Sequence, residues 1–407
     1  MSHEREVTLH DAIAYARAEM KRRRYERAER VLRQIVEARP GHLSAIADWA
    51  RSLQHLNRFD DAVAVLRKAV ALGPSVSRLR FNMANALRNC GETDAAITSF
   101  RRAVRLEPAN TEMHVGLALA LMQAGMWEEG FVEYEWRRAR REFVEWMKRA
   151  DRPVWNGGPV AGRTVLLIGE QGAGDSIHFV RYATLLAERG ATVMVNCQPS
   201  LRRLLTSVPG VSKVVQGRLD AFDTAEVLMS LPMRFGTRPD TIPAGVPYLS
   251  ATTPPPVRLP DNGVPRAGLV WAGNAAHVRD HWRSLPFGAL GPLLDVGGID
   301  FFSLQKGASA EHPRLTDLGS HLRDFADTAA VVEQLDVVIT VDTSVAHLAG
   351  AMGKPVWILL ARNTDWRWLE DGDSTPWYPT ARLFRQRELG QWDTVVAAVA
   401  DALAGFR

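Results

Sequence analysis

The first 144 residues place apolar and polar side chains with the period of an α-helix, and the same pattern returns every 34 residues. Small residues occupy one set of equivalent positions, namely Ala16, Ala50, Ala84 and Ala118. Bulky apolar residues occupy a second set, namely Leu32, Leu66, Phe100 and Tyr134. Pro40, Pro74 and Pro108 recur at the same interval, where each is expected to end a helix. The pattern predicts a stack of helix pairs over residues 9–144.

A 34-residue period is typical of tetratricopeptide (TPR) helix pairs, and the segment looks like TPR throughout. The fourth repeat has Glu142 where proline is expected, so its last helix is predicted to continue through Trp146 towards Lys148. The first helices of stacked pairs form a concave groove, and polar residues occupy its outward positions. These positions are Arg17, Arg51, Gln54, His55, Asn85, Arg88 and Asn89. They could hydrogen-bond an extended peptide or simply solvate the helices.

Beyond residue 164 the apolar residues form short strand-like runs separated by helical segments. Runs at 164–168, 192–196 and 213–215, with a helix predicted over 175–189, have the β-α-β order of a parallel sheet. The proline-rich stretch 252–265 is interpreted as a linker. After it, strand-like runs recur at four places, followed by a predicted C-terminal helix. These runs cover 267–271, 300–304, 336–341 and 356–360, and the helix covers 392–403. Two Rossmann-like halves around a ligand cleft are predicted.

Composition adds limits to this picture. The 407 residues are 46% hydrophobic and 24% charged, which suits a globular protein with several cores. No apolar run approaches the roughly 18 to 20 residues that a bilayer span needs, and residues 1–6 lack a secretory signal core. We therefore expect a cytoplasmic protein without a membrane span. Cys90 and Cys197 are the two cysteines, too few for a disulfide framework or a cysteine zinc site, so we expect no metal.

Positive charge is concentrated in the first 150 residues, which hold 26 lysines and arginines against 20 acidic residues. The remaining residues, 151–407, hold 24 lysines and arginines against 26 acidic residues. Nucleic acid is one partner for such a segment. Because the charges alternate with glutamates on helical sequence, a solvated helix face or a groove that prefers acidic peptide is favoured, and no nucleic acid is expected.

A glycine-rich loop at 169–174 follows the first strand-like run. A dinucleotide fingerprint would need glycine where Ile177 stands, and a phosphate P-loop would need lysine where Asp175 stands. Asp175 is either a helix N-cap or a general base that the helix dipole keeps ionised. His178 lies one helical turn further on and is expected to face the same cleft.

The run at 337–341 passes directly into a predicted helix, with Thr343 or Ser344 as its cap. Free backbone N–H groups at such a helix start could bind a diphosphate without a metal, or the segment is an ordinary capped turn. The loop after Trp271 leads to Arg283, which could neutralise a leaving phosphate or be a surface arginine.

Several strings in order along the chain resemble TPR-bearing bacterial glycosyltransferases related to the heptosyltransferases. They are GEQGAGDSIHFVRY, GLVWAGNAAHVRDHWRSLP, SLQKG and VITVDTSVAHLAGAMGKPVWILL, followed by DWRW and DSTPWYP. The chain is more distantly similar to O-linked N-acetylglucosamine transferases. The resemblance implies an α + α/β multidomain protein, with a TPR α-solenoid followed by a GT-B fold of two Rossmann-like domains. The expected domains are residues 1–150 (TPR), 151–252 (acceptor side) and 265–407 (nucleotide-sugar side).

The resemblance also implies roles for particular residues. Asp175 would take the proton from an acceptor hydroxyl, with His178 beside it. The donor diphosphate site would include Arg283, Thr343, Ser344 and His347, with Asp342 beside the phosphate as the residue that orients the loop. The nucleoside or sugar side would include Trp271, Asn274, Gln305 and Lys306. The acceptor loop would include Glu170, Gln171, Gly172 and Gly174. The segment 224–227 departs from the family, which has a His-Cys-Pro-like stretch there.

These observations predict a metal-independent, inverting glycosyltransferase that moves a sugar from a nucleotide-sugar donor to a hydroxyl of a TPR-bound protein or peptide. No cofactor is expected beyond the donor itself, and the oligomeric state stays open. Transfer to a glycan or lipid carrier and a non-catalytic TPR scaffold are the alternatives. A late aromatic cluster could stack on a ring of the ligand, but packing against the C-terminal helix is favoured. Its members are Trp366, Trp368, Trp377 and Tyr378.

Overall fold

A computed structural model describes most of the chain in two compact units, Met1–Arg140 and Arg141–Arg407. The described residues are 8–139, 152–216, 221–243, 245–277, 279–307 and 311–406. The predicted domain boundary at residue 150, and the predicted extension of the last TPR helix towards Lys148, lie outside them.

The first unit is built from consecutive helix pairs. These helices are α1 (Leu9–Lys21), α2 (Tyr25–Ala38), α3 (Leu43–His55), α4 (Phe59–Leu72), α5 (Ser77–Cys90), α6 (Thr93–Leu106), α7 (Thr111–Gln123) and α8 (Trp127–Tyr134). A short 3₁₀ turn, Glu135–Ala139, follows α8. The predicted helical stack is therefore confirmed.

Burial of the repeated small residues explains why the pairs stack closely. Ala16, Ala50, Ala84 and Ala118 are fully buried, as are the bulky residues Leu32, Leu66 and Phe100 of the second repeated set. In the fourth pair, a Cβ added at Gly130 would come within 2.6 Å of the Met122 Cγ atom. The sequence thus keeps a side chain of minimal size wherever one helix approaches its neighbour.

The second unit contains two parallel sheets. The first has four strands in the order β3-β2-β1-β4. Its strands are β1 (Thr164–Ile168), β2 (Thr192–Asn196), β3 (Val211–Val215) and β4 (Thr224–Val227). Strand β4, which was not predicted, occupies the segment that departs from the family pattern. Its Glu226 is buried and pairs with Arg234 at 2.7 Å, which compensates the cost of burying the carboxylate.

The helices of this first sheet differ from the single helix predicted over 175–189. They are α9 (Ala173–Phe179), α10 (Tyr182–Glu188), α11 (Arg202–Leu205) and α12 (Leu231–Arg234). The prediction missed the break between α9 and α10. At this break Arg181 is buried and donates hydrogen bonds to the backbone oxygens of His178 and Trp377 and to the Tyr248 hydroxyl. These tertiary contacts act where sequence periodicity alone favours a continuous helix.

The second sheet has six parallel strands in the order β10-β9-β8-β5-β6-β7. They are β5 (Arg266–Val270), β6 (Asp300–Ser303), β7 (Leu315–Asp317), β8 (Val337–Val341), β9 (Val356–Leu360) and β10 (Ala381–Arg385). Its helices are α13 (Asp280–Arg283), α14 (Gly291–Leu294), α15 (Phe325–Val332), α16 (Ser344–Ala351) and α17 (Asp393–Ala404). Every residue of β8 and β9 is buried, as expected for inner parallel strands. The prediction of a parallel α/β unit is confirmed, although it missed the short edge strands β7 and β10.

Polar contacts join the two sheets of this unit. Arg203 on α11 donates to Asp324 at 2.7 Å and to Asp327 at 2.6 Å, at the start of α15. Residues 251–265 between the sheets contain no helix or strand, in agreement with the predicted linker. In the part of the chain that the structure describes, no helix has the length and apolar character needed to cross a membrane.

Candidate active site

Helices α9 and α16, from different sheets, begin next to each other. A Cβ added at Gly174 would lie 2.9 Å from the His347 Cδ2 atom and 3.4 Å from the Ser344 Cα atom. Glycine is therefore favoured at this position because a side chain would displace the buried His347 ring. The fold brings together the glycine-rich loop and the strand-to-helix turn that the sequence marked separately.

Asp175 lies at this junction as the third residue of α9. Its Oδ2 atom accepts a hydrogen bond from the Gly172 backbone N–H at 2.9 Å, and its Oδ1 atom accepts one from Arg367 at 2.6 Å. The helix begins at Ala173 with Gly172 as its cap, so Asp175 is not the N-cap residue itself; its carboxylate caps the helix from the third position, as the acidic member of a capping box. Burial raises the pKa of Asp175, and the charge of Arg367 opposes this shift.

Arg367 is a site residue that sequence reasoning missed. It lies on the 3₁₀ turn Trp366–Trp368, and its side chain is only 6% exposed. Its guanidinium is 4.6 Å from the ring centre of Trp366 and 5.2 Å from that of Phe179. It also donates to Asp365 at 2.7 Å. Arg367 thus pairs with two carboxylates, and the one available signal was its place inside the DWRW string.

His178 and His347, both predicted site residues, are joined by the Tyr378 hydroxyl. The Tyr378 oxygen lies 2.9 Å from the Nδ1 atom of His178 and 3.0 Å from the Nδ1 atom of His347. Because one hydroxyl donates a single proton, one ring accepts at Nδ1 and the other donates there. His178 is fully buried, so in this conformation it cannot contact a substrate directly as predicted for a catalytic residue.

Both histidines are neutral at neutral pH. Burial lowers the pKa of His178 well below its usual value, and the nearby Arg181 adds to the effect. Burial and the charge of Arg367 lower the pKa of His347 to about 3. Protonating a buried imidazole next to a guanidinium is unfavourable because hydration is lost and the two positive charges repel each other.

The predicted phosphate residues meet at the start of α16. Thr343 is the helix N-cap and accepts from the Val345 backbone N–H at 3.3 Å. Arg283 donates to the Asp342 backbone oxygen at 3.1 Å and pairs with Asp280 at 3.2 Å. Burial and the neighbouring Asp365 raise the pKa of Asp342 to about 6. Arg283, Asp342, Thr343 and Ser344 thus lie around one turn that presents a helix N-terminus.

Two of the residues predicted to line the nucleoside or sugar side, Gln305 and Trp271, have structural contacts instead. Gln305 is buried, and its Oε1 atom accepts from the backbone N–H groups of Trp271 at 3.2 Å and Ala272 at 3.0 Å. Trp271 is also buried and packs against Phe287, with ring centres 5.0 Å apart. These two predictions are corrected: both side chains hold the loop after β5 and have no open face for a ring or sugar.

The other two predicted nucleoside-side residues are exposed. Asn274 accepts from the Ala276 backbone N–H at 3.0 Å within its own loop. Lys306 donates to the Arg323 backbone oxygen at 3.0 Å. Nothing brings either side chain into the cluster around Asp175, so their binding role stays a prediction.

The acceptor loop leads into the Asp175 helix. Glu170 is half-buried, whereas Gln171 is exposed and has a left-handed backbone conformation with φ of 61°. The Gln171 backbone oxygen accepts from Gln198 at 3.1 Å. The loop is therefore held by Gln198, which lies two residues after β2.

The late aromatic cluster is packed inside the protein. Trp366, Trp368, Trp377 and Tyr378 are all at most 4% exposed. Trp368 stacks on His347 with ring centres 5.2 Å apart. Burial of the cluster is therefore confirmed and ligand stacking is wrong. The cluster packs around the two histidines and Phe179, whereas its packing against the C-terminal helix stays a prediction.

The TPR groove contains a separate pocket of about 370 Å³. Arg17 and Arg51 line it and both bind Asp48, a residue that the sequence prediction omitted. Arg88 is only 7% exposed, so its predicted outward position is wrong. Asn85 donates to the Phe81 backbone oxygen at 3.1 Å along its own helix. Asn89 is half-buried, and its role in the groove stays a prediction.

Comparison with known proteins supports the helical repeats. Tetratricopeptide repeat models match residues 14–77 and 47–97, and a TPR repeat model matches residues 84–125. Protein FlbA of Caulobacter vibrioides is 29% identical over 154 residues, which is 35% of this chain and 25% of that protein. This chain therefore spans about a quarter of that relative. The family models show that the N-terminal unit consists of TPR repeats, a type of protein-interaction repeat.

Solved structures with similarity include a MamA structure and a thermophilic TPR protein. MamA from Desulfovibrio magneticus RS-1 is 18% identical, with coverage of 36% of this chain and 79% of that chain and a TM-score of 0.30. A thermophilic TPR protein in Thermus thermophilus is 19% identical, with coverage of 34% of this chain and 76% of that chain and a TM-score of 0.31.

Proposed function

We propose that the second unit is a metal-independent GT-B glycosyltransferase that uses a nucleotide-sugar donor. Its acceptor would be a hydroxyl of a protein or peptide bound by the TPR unit. The observation that supports the proposal is that the helix start bearing Asp175 lies against the N-terminus of α16, with Gly174 at the contact. A carboxylate with a raised pKa and a helix start that can bind a diphosphate are the two parts that such a transfer requires.

The proposed reaction is a single displacement. The Asp175 carboxylate takes the proton of the acceptor hydroxyl, and the acceptor oxygen forms a bond to the anomeric carbon. The bond from that carbon to the donor phosphate breaks, so the configuration inverts and a nucleoside diphosphate leaves. Backbone N–H groups after Thr343, together with Arg283, would stabilise the charge that develops on the leaving phosphate.

A thermal-shift panel tests donor binding. Nucleoside diphosphates and their sugars would be added to the full chain, to Arg283→Ala and to Arg258→Ala, an exposed arginine of the linker. We expect one nucleotide sugar to stabilise the protein by about 2.7 kcal/mol at a hundredfold excess over its Kd. The effect should be lost in Arg283→Ala and kept in Arg258→Ala. If no donor raises the melting temperature, the proposal is overturned.

Acceptor class is tested with the donor found in this way. Labelled sugar appearing on protein supports the proposed acceptor. Labelled sugar appearing only on a glycan or lipid carrier would favour the alternative enzyme. Donor binding without transfer to any acceptor would favour the scaffold.

A further inference from the structure

The TPR pocket combines apolar and positively charged surfaces. It lies between the first helices of three successive pairs, α1, α3 and α5. Leu43 and Val76 form its apolar wall above the buried Leu79, and Val76 is one of the exposed large hydrophobic residues of the described chain. An exposed apolar side chain beside a concave surface favours contact with an apolar group of a partner.

One carboxylate holds two arginines at the edge of this wall. The Asp48 Oδ2 atom accepts from Arg17 at 2.6 Å, and its Oδ1 atom accepts from Arg51 at 3.1 Å. The side chain of Asp48 is 12% exposed, whereas those of Arg17 and Arg51 are 50% and 43% exposed. Each guanidinium is thus held in place through one nitrogen while much of its surface remains accessible. The trio has a net charge of +1.

A third arginine of the pocket is already paired with a carboxylate. Arg78 also lines the pocket, and Glu112 at 2.8 Å on the exposed surface balances its charge. The net positive charge of the pocket therefore comes from Arg17, Arg51 and Asp48, and it favours an anionic ligand. Because the arginines are already oriented, a ligand carboxylate would bind them with a small loss of side-chain entropy.

We propose that this pocket binds an extended peptide segment in which an acidic side chain lies next to an apolar one. The carboxylate bridges Arg17 and Arg51, and the apolar side chain packs against Leu43 and Val76. The inference rests on the proposed function, since the segment would belong to the acceptor protein. A nucleic acid fits less well because no aromatic residue lines the pocket and Asp48 would repel phosphates.

Fluorescence anisotropy with short labelled peptides on the full chain tests the proposal. The probe has a glutamate-leucine-glutamate core with flexible flanks. Matched peptides replace both glutamates with glutamine or lysine, or replace the leucine with serine. We expect the acidic peptide to bind about tenfold more tightly than the glutamine peptide, and more weakly as salt rises. Equal binding of the acidic and glutamine peptides, or tighter binding of a single-stranded RNA, would overturn the proposal.

Protein variants locate the binding site. Arg51→Gln and Arg17→Gln should each weaken binding of the acidic peptide about tenfold. Arg67→Gln is the matched control, because Arg67 is an exposed arginine on α4 that does not line the pocket. Unchanged binding in both pocket variants, or an equal loss in the control, would show that the peptide binds elsewhere. Both pocket arginines are exposed, so melting curves are expected to confirm folding.

The outcomes separate this inference from the proposed function. Peptide binding needs no donor. Peptide binding that depends on Arg51, without any sugar transfer, would therefore support the peptide pocket and contradict the proposed glycosyltransferase activity. Sugar transfer by a protein that binds the acidic and glutamine peptides equally well would support the activity and contradict the peptide pocket.

Discussion

Asp175 is the residue at which burial and ion pairing oppose each other most directly. Asp175→Asn should lower sugar transfer by about a hundredfold or more, because an amide cannot take a proton from the acceptor. The amide oxygen can still accept from the Gly172 N–H, but the amide nitrogen then faces the buried Arg367 guanidinium, donor against donor, so we expect a stability loss of about 1–3 kcal/mol. Initial rates and thermal melts measure the two effects. Asp373→Asn, at an exposed carboxylate, is the control. Full activity in Asp175→Asn would show that Asp175 is not the catalytic base.

The buried histidines predict how stability depends on pH. Because the pKa values of both histidines are lowered in the folded protein, the unfolded chain binds protons below about pH 6.5 that the folded chain does not bind. Their stabilising effect is therefore complete above the unfolded pKa and is lost as pH falls towards the folded value, about 3 for His347. Each histidine contributes a slope of at most about 1.4 kcal/mol per pH unit. Asp342 opposes this between its usual pKa of 3.8 and its folded value of about 6.

Urea unfolding between about pH 7.5 and pH 5 would measure this slope. The unfolding free energy of His347→Asn should depend less on pH than that of the unmodified protein, because the variant lacks one histidine that is protonated only in the unfolded chain. His321→Gln, at an exposed histidine, should leave the slope unchanged. An identical slope in His347→Asn and the unmodified protein would contradict the neutral buried state of His347.

At the scale of elements, the contact between α9 and α16 depends on a missing side chain. Gly174→Ala places a methyl group 2.9 Å from His347 and 3.4 Å from the Ser344 backbone, so the His347 ring, which also contacts Tyr378, must shift. We expect a loss of about 1–3 kcal/mol in unfolding free energy and weaker donor binding. Gly288→Ala, with no atom within 4 Å of the added Cβ, is the matched control. Chemical denaturation that gave equal stability for both variants would argue against this tight contact.

The elements that sequence could predict are those with local causes. The TPR helices follow from a pattern repeated every 34 residues, and the inner strands β8 and β9 follow from continuous apolar runs. The break at Arg181 was missed because its partners, Trp377 and Tyr248, come from distant parts of the chain. Strand β4 was missed because four buried residues that include Glu226 do not form an apolar run.

At the scale of the whole molecule, the site residues too divide into those that a local pattern could predict and those that depend on distant contacts. Asp175 could be singled out within its loop, whereas Arg367 contacts it from 192 residues away and no local pattern pairs them. The Tyr378 hydroxyl likewise meets His178 across 200 residues. Burial of Trp271 and Gln305 depends on how the loop after β5 packs, which is why their predicted exposure to a ligand was wrong.

The two compact units lead to a prediction about where ligands act in the full chain. The donor found in the thermal-shift panel should slow hydrogen exchange in α9 and α16, because it would hold the two helix starts together. The acidic peptide should slow exchange in α3 and α5, which line the TPR pocket. Mass spectrometry of peptides from protein exchanged with each ligand separately would map both effects. Donor-dependent protection confined to α3 and α5 would contradict the assignment of the donor site to the second unit.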